Sequence, residues 1–474
     1  MNSSSPVIWW IRRDLRLCDN PALTAAAASG ASVLPVYILD EQDEALGAAP
    51  KFRLGLGLEH LARELARAGS RLILRRGNAL EVLQQLAVET GAGAVHWSRL
   101  YDPQAIARDT DVKQQLSAQG ITAKSHGGRL LFEPWTVETK TGGMYKVYTP
   151  FWKAVRGRSV NSLLPAPAAL PAPENWPASE DLSAWNMGAA MRRGADVVAR
   201  YCRVGEGAAL NRLGEFLEFS VDAYKERRDY PGEDATSGLS ENLAWGEISP
   251  HRMWHLGRAA MERGSQGAEH FLKEIAWREF AYYLMYHSPH MLTASWRGEW
   301  QAFPWSQDIT RQVLAWQRGQ TGYDFIDAAM RELYVTGKMH NRARMIVASF
   351  LTKHLMTHWK IGMDWFTDTL VDWDPASNAM GWQWVAGSGP DAAPFFRVFN
   401  PSGQLEKFDS SGAYTRRWIA EGQGNAAQPA LDFFDAAPLS WELSPDTPRA
   451  KPVISLKEGR DRALAAYHGA RENR

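Results

Sequence analysis

The first 135 residues alternate short apolar runs with longer helical patterns, and this alternation limits the possible fold more than any other feature of the chain. Runs rich in β-branched and aromatic residues lie at 6–10, 33–38, 71–75 and 94–97. Amphipathic patterns lie between them at 56–69 and 79–91. Strands that alternate with helices form parallel sheets covered on both faces. We therefore predict a doubly wound α/β domain over residues 1–135.

Glycine-rich nucleotide motifs are absent from this first region of the sequence. Gly55 and Gly57 lack the third glycine of a dinucleotide-binding fingerprint, and no P-loop sequence occurs. We therefore expect no dinucleotide site of the Rossmann type in the α/β domain.

The rest of the chain has a different pattern. Residues 164–187 are rich in proline and alanine, which is typical of a semi-rigid connection between domains. Long helical patterns then dominate, for example at 269–286 and 339–359, with almost no β-type alternation. We predict an interdomain linker over 136–195 and an all-helical domain over 196–474.

Composition limits the class of protein. The 53 basic and 53 acidic residues give no net charge, so any binding of nucleic acid must come from a local basic patch. Cys18 and Cys202 match no disulfide or metal-site spacing, which favours a reducing compartment. No stretch has the apolar length of a membrane span, and the arginines follow the first apolar run, the wrong order for a secretory signal. We expect a cytoplasmic monomer that does not bind membranes.

Tryptophan is concentrated near the end of the chain. There are 21 tryptophans in 474 residues, and Trp373, Trp382 and Trp384 lie within twelve positions of each other, close to two acids and Arg397. Indoles beside charged groups are typical of sites that stack flat aromatic ligands. The segment 372–397 is therefore the first candidate for a functional site.

Two helical patterns carry polar side chains at positions that share one face of a helix. These sets are Glu274, Trp277 and Arg278, and Asn341, Arg344 and Met345, with Arg342 beside the second set. Either pattern alone is also typical of an ordinary amphipathic surface helix. Their occurrence together with the segment 372–397 favours a site.

The stretch TSGLS at 236–240 is a further candidate. Its three hydroxyls and its backbone amides precede a helical pattern, an arrangement that holds phosphate oxygens. Simple helix capping is the alternative. The sequence has no HExxH or GxSxG motif and no metal-spaced cysteines and histidines, so we predict no metal site and expect a cofactor to supply the chemistry.

Several long motifs resemble the photolyase/cryptochrome family over nearly the whole chain. They are WWIRRDLRLCDNPAL (9–23), YKVYTPFWKA (145–154), TSGLS (236–240), EIAWREF (274–280), YDFIDAAMREL (323–333), MHNRARM (339–345) and the WQW segment. The resemblance is to bacterial cyclobutane pyrimidine dimer photolyases of the class I/III type. It implies an α/β antenna domain, a helical domain that binds FAD, and light-driven repair of UV-damaged DNA by electron transfer to a flipped-out dimer.

The resemblance also implies roles for individual residues. The implied FAD-binding residues are Tyr224, Thr236, Ser237, Gly238, Leu239, Ser240, Arg344, Asp372, Trp373, Asp374 and Asn378. Asn378 occupies the position that faces flavin N5, where a neutral amide can bond to either redox state. The implied contacts to the dimer and DNA are Arg228, Glu274, Trp277, Arg278, Asn341, Arg342, Met345, Trp384, Arg397 and Gln404. Glu274 is the acid implied to hydrogen-bond the dimer.

Three tryptophans match the chain that carries electrons from the surface to the photo-excited flavin. They are Trp382, Trp359 and Trp305. Each one alone is also typical of a core indole. We count them with Glu274 and Asn378 as the candidate catalytic residues.

Some positions depart from the family pattern. Gly238 stands where many relatives have a basic residue, which removes one expected phosphate contact, and Trp373 stands where glycine is common. Ala379 and Met380 follow Asn378 where small residues or asparagine and glycine are common. We expect these changes to crowd the flavin.

The antenna chromophore is less well specified. The stretch YDPQAIARD at 101–109 has Gln104 and Ala105 where folate-binding relatives often have an acid. We expect 5,10-methenyltetrahydrofolate, with 8-hydroxy-5-deazaflavin or no antenna as the alternatives.

Two other activities remain as alternatives. A (6–4) photolyase usually has paired histidines at its site, and the stretch 338–342 offers only His340. A cryptochrome blue-light receptor often has aspartate or cysteine at the position of Asn378. These differences favour a dimer photolyase.

Overall fold

The N-terminal part of the chain is built on one parallel sheet. The computed structural model describes residues 5–472, so the outer limits of the predicted domains, at 1 and 474, lie outside the described residues. The strand order is β3-β2-β1-β4-β5, with every neighbouring pair parallel. The strands are β1 (Val7–Ile11), β2 (Val33–Leu39), β3 (Ile73–Arg76), β4 (Ala94–Ser98) and β5 (Thr122–His126). The predicted doubly wound sheet is therefore confirmed, with one strand, β5, that the sequence patterns did not indicate.

The central strand shows why the apolar runs are continuous. Val7, Trp9 and Ile11 pack into the core on one side of the sheet, and Ile8 and Trp10 pack on the other. Successive side chains of a strand point to opposite faces, so a strand covered on both sides needs apolar residues at every position.

Helices cover both faces of this sheet. They are α1 (Pro21–Ala27), α2 (Glu41–Glu44), α3 (Ala48–Arg67), α4 (Ala79–Thr90) and α5 (Pro103–Ala118). The helix predicted at 56–69 therefore begins eight residues earlier, at Ala48. Asn78 caps α4 and Asp102 caps α5, each by accepting hydrogen bonds from amides of the first turn.

The predicted linker is anchored to both the sheet domain and the helical domain. Within the predicted linker, α6 (Tyr148–Val155) places Phe151 in the core of the helical region. Further on, the Pro171 carbonyl accepts a hydrogen bond from the Val33 amide at 2.8 Å, and Leu170 and Trp185 are buried against the sheet domain. The linker thus has fixed contacts along its length.

The remainder of the described chain is helical, as predicted. Its helices are α7 (Gly194–Ala199), α8 (Glu206–Phe219), α9 (Tyr224–Arg227), α10 (Ser240–Trp245), α11 (Pro250–Glu262), α12 (Ala268–His287), α13 (Arg311–Gln317), α14 (Asp324–Thr336), α15 (Asn341–Ser349), α16 (Trp359–Thr369), α17 (Pro375–Ala386), α18 (Pro401–Phe408), α19 (Ala413–Trp418), α20 (Gln428–Ala436) and α21 (Leu456–Glu472). Over residues 5–472, no helix has the length and apolar character needed to cross a membrane.

The helical pattern at 339–359 forms two helices rather than one. After α15 the chain makes a short π-helix, Phe350–His354, and Met356 then adopts a left-handed backbone with φ of 51°. A helix cannot continue through a left-handed residue. A new helix, α16, starts at Trp359, where the His358 imidazole accepts a hydrogen bond from the Lys360 amide at 3.1 Å.

A buried ion network joins the two domains. Arg53 of α3 is fully buried, and its guanidinium bonds to Glu241 of α10 at 3.0 Å and to Glu247 at 2.6 Å. Lys338 bonds to the other oxygen of Glu241 at 3.0 Å. Burial would raise the pKa of Glu241, but Lys338 and Arg53 together lower it below its usual value. The carboxylate is therefore charged and depends on these partners.

Replacing Arg53 tests this network. We expect Arg53→Met to lower the free energy of unfolding by about 3–5 kcal/mol, because Glu241 and Glu247 lose the cation that compensates their burial. Arg63→Met is the matched control in the same helix, since the exposed pair of Arg63 with Glu59 contributes less than about 1 kcal/mol. Urea unfolding of the two variants measures the difference. Equal losses would contradict the proposed importance of the buried network.

Candidate active site

A cavity of about 780 Å³ lies within the helical domain, a size typical of cofactor sites. It is bounded by the turn at 236–240 and by residues of α12, α15 and α17. Eighteen of the predicted site residues line it: Tyr224, Arg228, Thr236, Ser237, Gly238, Leu239, Ser240, Glu274, Trp277, Arg278, Asn341, Arg344, Met345, Asp372, Asp374, Asn378, Trp382 and Trp384. The fold therefore brings together the TSGLS turn, the two polar helix faces and the WQW segment.

The turn is held by a cation that the sequence patterns did not indicate. Arg212, on α8, donates hydrogen bonds to the carbonyls of Ser237 at 2.9 Å and Thr236 at 2.6 Å, and it also bonds to Asp234. Arg212 lines the cavity beside Gly238. A basic side chain from a separate helix thus lies beside position 238, and no local motif marked it.

Arg344 and Asp372 form an ion pair at the cavity wall. The Arg344 Nη2 donates to Asp372 Oδ2 at 2.7 Å, and its Nε donates to the Met339 carbonyl at 2.8 Å. Asp372 Oδ1 is buried and accepts no hydrogen bond from any residue in the range 5–472. The pair therefore leaves one carboxylate oxygen available to a bound molecule.

Asp374 has a structural role in addition to its place in the lining. Its Oδ1 accepts from the Ser377 amide at 2.9 Å and so caps α17, while its Oδ2 accepts from the Tyr282 hydroxyl and lies 3.5 Å from Arg129. Burial would raise the pKa of Asp374, but Arg278 and Arg129 lower it. Asp374 therefore fixes the start of the helix that carries the WQW segment.

Asn378 lies one turn into α17. Its side-chain nitrogen donates to the Met363 carbonyl and to the Thr367 hydroxyl, both at 3.1 Å. Its oxygen, Oδ1, is buried and has no partner in the described part of the chain. The amide therefore offers a hydrogen-bond acceptor to the cavity.

Another set of lining residues is suited to an aromatic ligand. Trp277 stacks on Tyr148 with ring centroids 3.7 Å apart and planes at 8°, so its indole is held rigidly. Glu274 accepts a hydrogen bond from Arg228 through Oε1. Asn341 is exposed and lines the cavity, which marks the mouth.

Arg278 also lines the cavity but is held by structural contacts. Its Nη1 donates to the Arg129 carbonyl at 3.0 Å, and its guanidinium lies 4.9 Å from the centre of the Tyr282 ring. The charge of Arg278 lowers the pKa of Asp374, as described above. Its hydrogen bond to the Arg129 carbonyl joins α12 to the N-terminal half of the chain.

Trp373 does not border the cavity, contrary to expectation. Its ring lies 5.1 Å from the guanidinium of Arg13, which also donates to the Trp373 carbonyl at 3.3 Å. The side chain at position 373 therefore packs at the interface with the sheet domain. Trp373 is therefore not among the residues that line the cavity.

Three predicted DNA contacts also lie outside the lining. Arg342 bonds to Asp229 at 2.6 Å and covers the Phe408 ring at 4.5 Å. Arg397 is exposed and Gln404 is half-buried.

Trp382 and Trp359 are both buried, and Trp382 lines the cavity. Trp382 meets Phe366 edge-on at 5.0 Å, and its indole packs so closely on α16 that a Cβ at Gly362 would lie 2.0 Å from it. Trp359 is fully buried and donates to the Ser295 hydroxyl at 3.3 Å. The centre of the His358 ring lies 5.3 Å from that of Trp359 and 5.6 Å from that of Trp305, the third tryptophan.

Trp305, the last of the three expected tryptophans, is buried within an aromatic cluster. It is 6% exposed, and its Nε1 donates to the Thr352 carbonyl in the π-helix at 2.8 Å. Trp300 stacks on it at 5.6 Å and 22°, and Tyr467 of α21 stacks on Trp300 at 6.4 Å and 22°. Because Tyr467 is half-buried, this stack continues toward the surface.

Glu332, which also lines the cavity, has a raised pKa. Burial raises the pKa of Glu332 to about 7, and Oε2 of this residue accepts hydrogen bonds from the Tyr414 hydroxyl at 2.5 Å and the His340 amide at 3.4 Å. Glu332 belongs to the YDFIDAAMREL motif, but spacing alone gave no sign that it reaches the cavity.

Comparisons with known proteins show the family to which the chain belongs. The family described as DNA photolyase matches residues 7–174, and the FAD binding domain of DNA photolyase matches residues 271–469. A deoxyribodipyrimidine photo-lyase of Agrobacterium fabrum is 45% identical, with 98% of each chain covered. The chain belongs to the DNA photolyase family. This confirms the predicted family and identifies FAD as the cofactor of the helical domain.

Two further relatives of this DNA photolyase family member show the range of the similarity. A crystal structure of a class III photolyase from Agrobacterium tumefaciens has a TM-score of 0.92 and 43% identity, covering 100% of this chain and 99% of that one. Cryptochrome-2 of Arabidopsis thaliana is 34% identical and covers 100% of this chain and 80% of its own. This cryptochrome is thus less similar to the chain than the two Agrobacterium photolyases.

The residues of the cavity fit a flavin cofactor. Asn378 Oδ1 and Asp372 Oδ1 are free acceptors, and a flavin carries ring N–H donors that can satisfy them. The hydroxyls of Thr236, Ser237 and Ser240 in the same lining suit polar oxygens of the FAD chain.

Arg212 provides a test of the turn. We expect Arg212→Leu to weaken FAD binding by roughly tenfold, because two carbonyls that hold the turn lose their donor. Fluorescence titration of the flavin-free protein with FAD measures the change. Arg227→Leu is the control, since Arg227 pairs with exposed Glu233 at 2.6 Å. An unchanged dissociation constant in Arg212→Leu would contradict this role.

Proposed function

We propose that this protein is a deoxyribodipyrimidine photo-lyase that repairs cyclobutane pyrimidine dimers in UV-damaged DNA with blue light. The observation that carries the proposal is that one cavity combines the acceptors suited to FAD with Glu274, Trp277 and Trp384. The relative that is 45% identical over 98% of both chains, and carries that name, supports it.

When bound, reduced FAD supplies the photo-excited electron that splits the dimer. The protein's own residues bind and orient the two reactants. Trp277, braced by Tyr148, offers a flat apolar wall to a pyrimidine dimer that has left the DNA stack, and Trp384 offers a second one. Damaged bases stack poorly and are therefore the least costly to extrude.

Glu274 is placed to select the lesion. One of its oxygens accepts from Arg228, and Oε2 accepts no hydrogen bond from the part of the chain that the structure describes. That oxygen is available to N–H groups on the edges of flipped bases. We propose that Arg228 holds the carboxylate in this orientation, while Asn341 and Met345 complete the contact to the dimer.

We propose that DNA backbone contacts come from Arg342, Arg397 and Gln404 outside the cavity. Two observations support a local surface rather than a general one: Arg397 is exposed, and the chain has no net charge. Phosphate contacts of this kind position the duplex but do not read its sequence.

For the electron supply, we propose that Trp382, Trp359 and Trp305 act as a relay to the flavin. Trp382 lines the cavity, while the other two rings are buried beyond it. The stack of Trp305, Trp300 and Tyr467 provides its continuation toward solvent.

The alternative activities have less support. His340 caps α15 by accepting from the Arg342 amide at 3.2 Å, and burial lowers the pKa of His340 to about 4. It is therefore neutral at pH 7 and poorly suited to protonating a (6–4) lesion. Asn378, with its free acceptor, favours a photolyase over a cryptochrome.

We propose 5,10-methenyltetrahydrofolate as the antenna, with 8-hydroxy-5-deazaflavin or no antenna as alternatives. A second cavity, of about 460 Å³, begins at the carboxyl end of β4 and is lined by Arg99, Lys113, Trp135 and Tyr286. In doubly wound sheets, ligands bind at the carboxyl ends of the strands where the strand order reverses. Aromatic walls with two cations suit a flat ring that carries a carboxylate tail.

We also propose domain limits at 135 and 195, a monomeric state and a cytoplasmic location. The last strand of the sheet ends at His126, and α7 begins at Gly194, which supports limits near these positions.

Illumination of a thymine-dimer oligonucleotide tests the function. We expect the purified protein with reduced FAD to restore intact thymines under blue light and not in the dark. Glu274→Gln should lower repair by roughly tenfold without loss of FAD, because a charged hydrogen-bond acceptor becomes neutral. Repair of (6–4) lesions alone, or no repair by flavin-loaded protein, would contradict the proposal. Chromatography of the digested oligonucleotide measures the products.

The relay is tested by Trp382→Phe. Phenylalanine fills most of the same space but is much harder to oxidise, so we expect slow photoreduction of oxidised FAD with repair by chemically reduced protein largely preserved. Trp254→Phe, a buried indole elsewhere in the helical domain, is the matched control. Flavin absorption during illumination measures the rate. Equal loss of photoreduction and repair would show that Trp382 is not a relay residue.

A further inference from the structure

The side-chain amide of Asn378 is clamped by two groups of the neighbouring helix α16. Its nitrogen donates to the Met363 carbonyl and to Thr367 Oγ1, both at 3.1 Å. The Thr367 hydroxyl in turn donates to the same Met363 carbonyl at 2.9 Å. The three groups therefore form a closed set of hydrogen bonds.

This set fixes which end of the amide faces the cavity. A backbone carbonyl accepts but never donates, so the group of Asn378 that meets Met363 must be the NH₂. Because the hydrogen of the Thr367 hydroxyl is directed to Met363, the Thr367 oxygen also acts as an acceptor toward Asn378. Rotating the amide by half a turn would place Oδ1 against the Met363 carbonyl oxygen, and the Thr367 hydroxyl would have to give up its own bond to Met363 in order to donate to Oδ1.

The backbone that carries the clamp is itself held by the sheet domain. Gly47, at the start of α3, lies against Thr367 so closely that a Cβ at position 47 would be 2.3 Å from the Thr367 carbonyl oxygen. The Asp368 carboxylate accepts a hydrogen bond from the Ala48 amide at 2.9 Å. The end of α16 therefore has little freedom to move away from Asn378.

The result is a cavity wall that presents an acceptor and no donor at Asn378. Its Oδ1 is buried and without a partner over residues 5–472. Oxidised flavin carries a bare nitrogen at N5, which is also an acceptor, whereas reduction adds electrons and a proton there and turns N5 into an N–H donor. A locked acceptor attracts the second form and repels the first.

We propose that Thr367 is a positioning residue that locks the amide of Asn378 as an acceptor and thereby makes the site favour N5-protonated, reduced FAD. The inference rests on the proposed function for the location of the flavin ring beside Asn378. It differs from the sequence expectation, in which the amide could serve either redox state. Reduced flavin is the electron donor needed for repair, so the clamp keeps the cofactor in its working state.

The test is the midpoint potential of bound FAD in Thr367→Val. Valine has nearly the shape of threonine but offers no oxygen to Asn378, while Met363 still holds one amide hydrogen. We expect the ratio of the dissociation constants for oxidised and reduced FAD to fall by roughly tenfold, which corresponds to about 30 mV in the negative direction for a two-electron couple. Spectroscopic titration with dithionite and a reference dye measures the potential.

Two control variants separate the clamp from general effects. Thr367→Ser keeps the hydroxyl and should keep the wild-type potential. Thr369→Val removes a comparable hydroxyl, which donates to the Trp365 carbonyl at 2.7 Å on the same helix but does not contact Asn378, and it should also leave the potential unchanged. An unchanged potential in Thr367→Val, or an equal shift in either control, would overturn the proposal.

The potential and the repair assay report different failures. A shift confined to Thr367→Val in a protein that repairs no dimers would support the clamp and overturn the proposed function. Full repair without a shift in potential would support the proposed function and overturn the clamp. If Thr367→Val retains too little FAD for a titration, the separate dissociation constants for oxidised and reduced FAD give the same ratio.

Discussion

The buried charge of Arg53 is the interaction on which the arrangement of the molecule depends. A guanidinium without water must have full compensation, and here Glu241 and Glu247 provide it from the other domain. Glu241 directly follows the turn at 236–240, so the same ion pairs that join the domains also fix where the turn meets the cavity. The sheet domain thus supports the flavin site, although the lining residues of the cavity all belong to the helical domain.

Other contacts repeat this pattern on other walls of the cavity. Arg129 pairs with Asp374 at the start of α17, and α3 packs on the end of α16 beside Thr367. Helices that carry the proposed cofactor contacts are therefore held from outside the helical domain. Sites held within a few tenths of an ångström need such supporting contacts, because a loose site loses the alignment on which electron transfer and hydrogen bonding depend.

Much of the fold and of the residue set could be predicted from the sequence, because strand and helix periodicities and long family motifs are local signals. Strand β5 was not, since TAKSH is a half-exposed edge strand with one buried apolar residue. Arg212, the interface position of Trp373 and the burial of Trp305 also depend on partners far away in the chain. The orientation of the Asn378 amide could not be predicted either, because a backbone carbonyl on another helix sets it.

The contact between Trp382 and Gly362 limits how the chain can change. With only hydrogen at position 362, the indole lies directly on the backbone of α16, and a Cβ there would be 2.0 Å from the ring. Every ordinary substitution at 362 therefore moves the aromatic ring. In the proposed relay, tunnelling rates depend steeply on the separation between this ring and the cofactor, so a residue that has no side chain helps to set that separation. We therefore expect relatives that have a tryptophan at the position of Trp382 to have glycine at the position of Gly362.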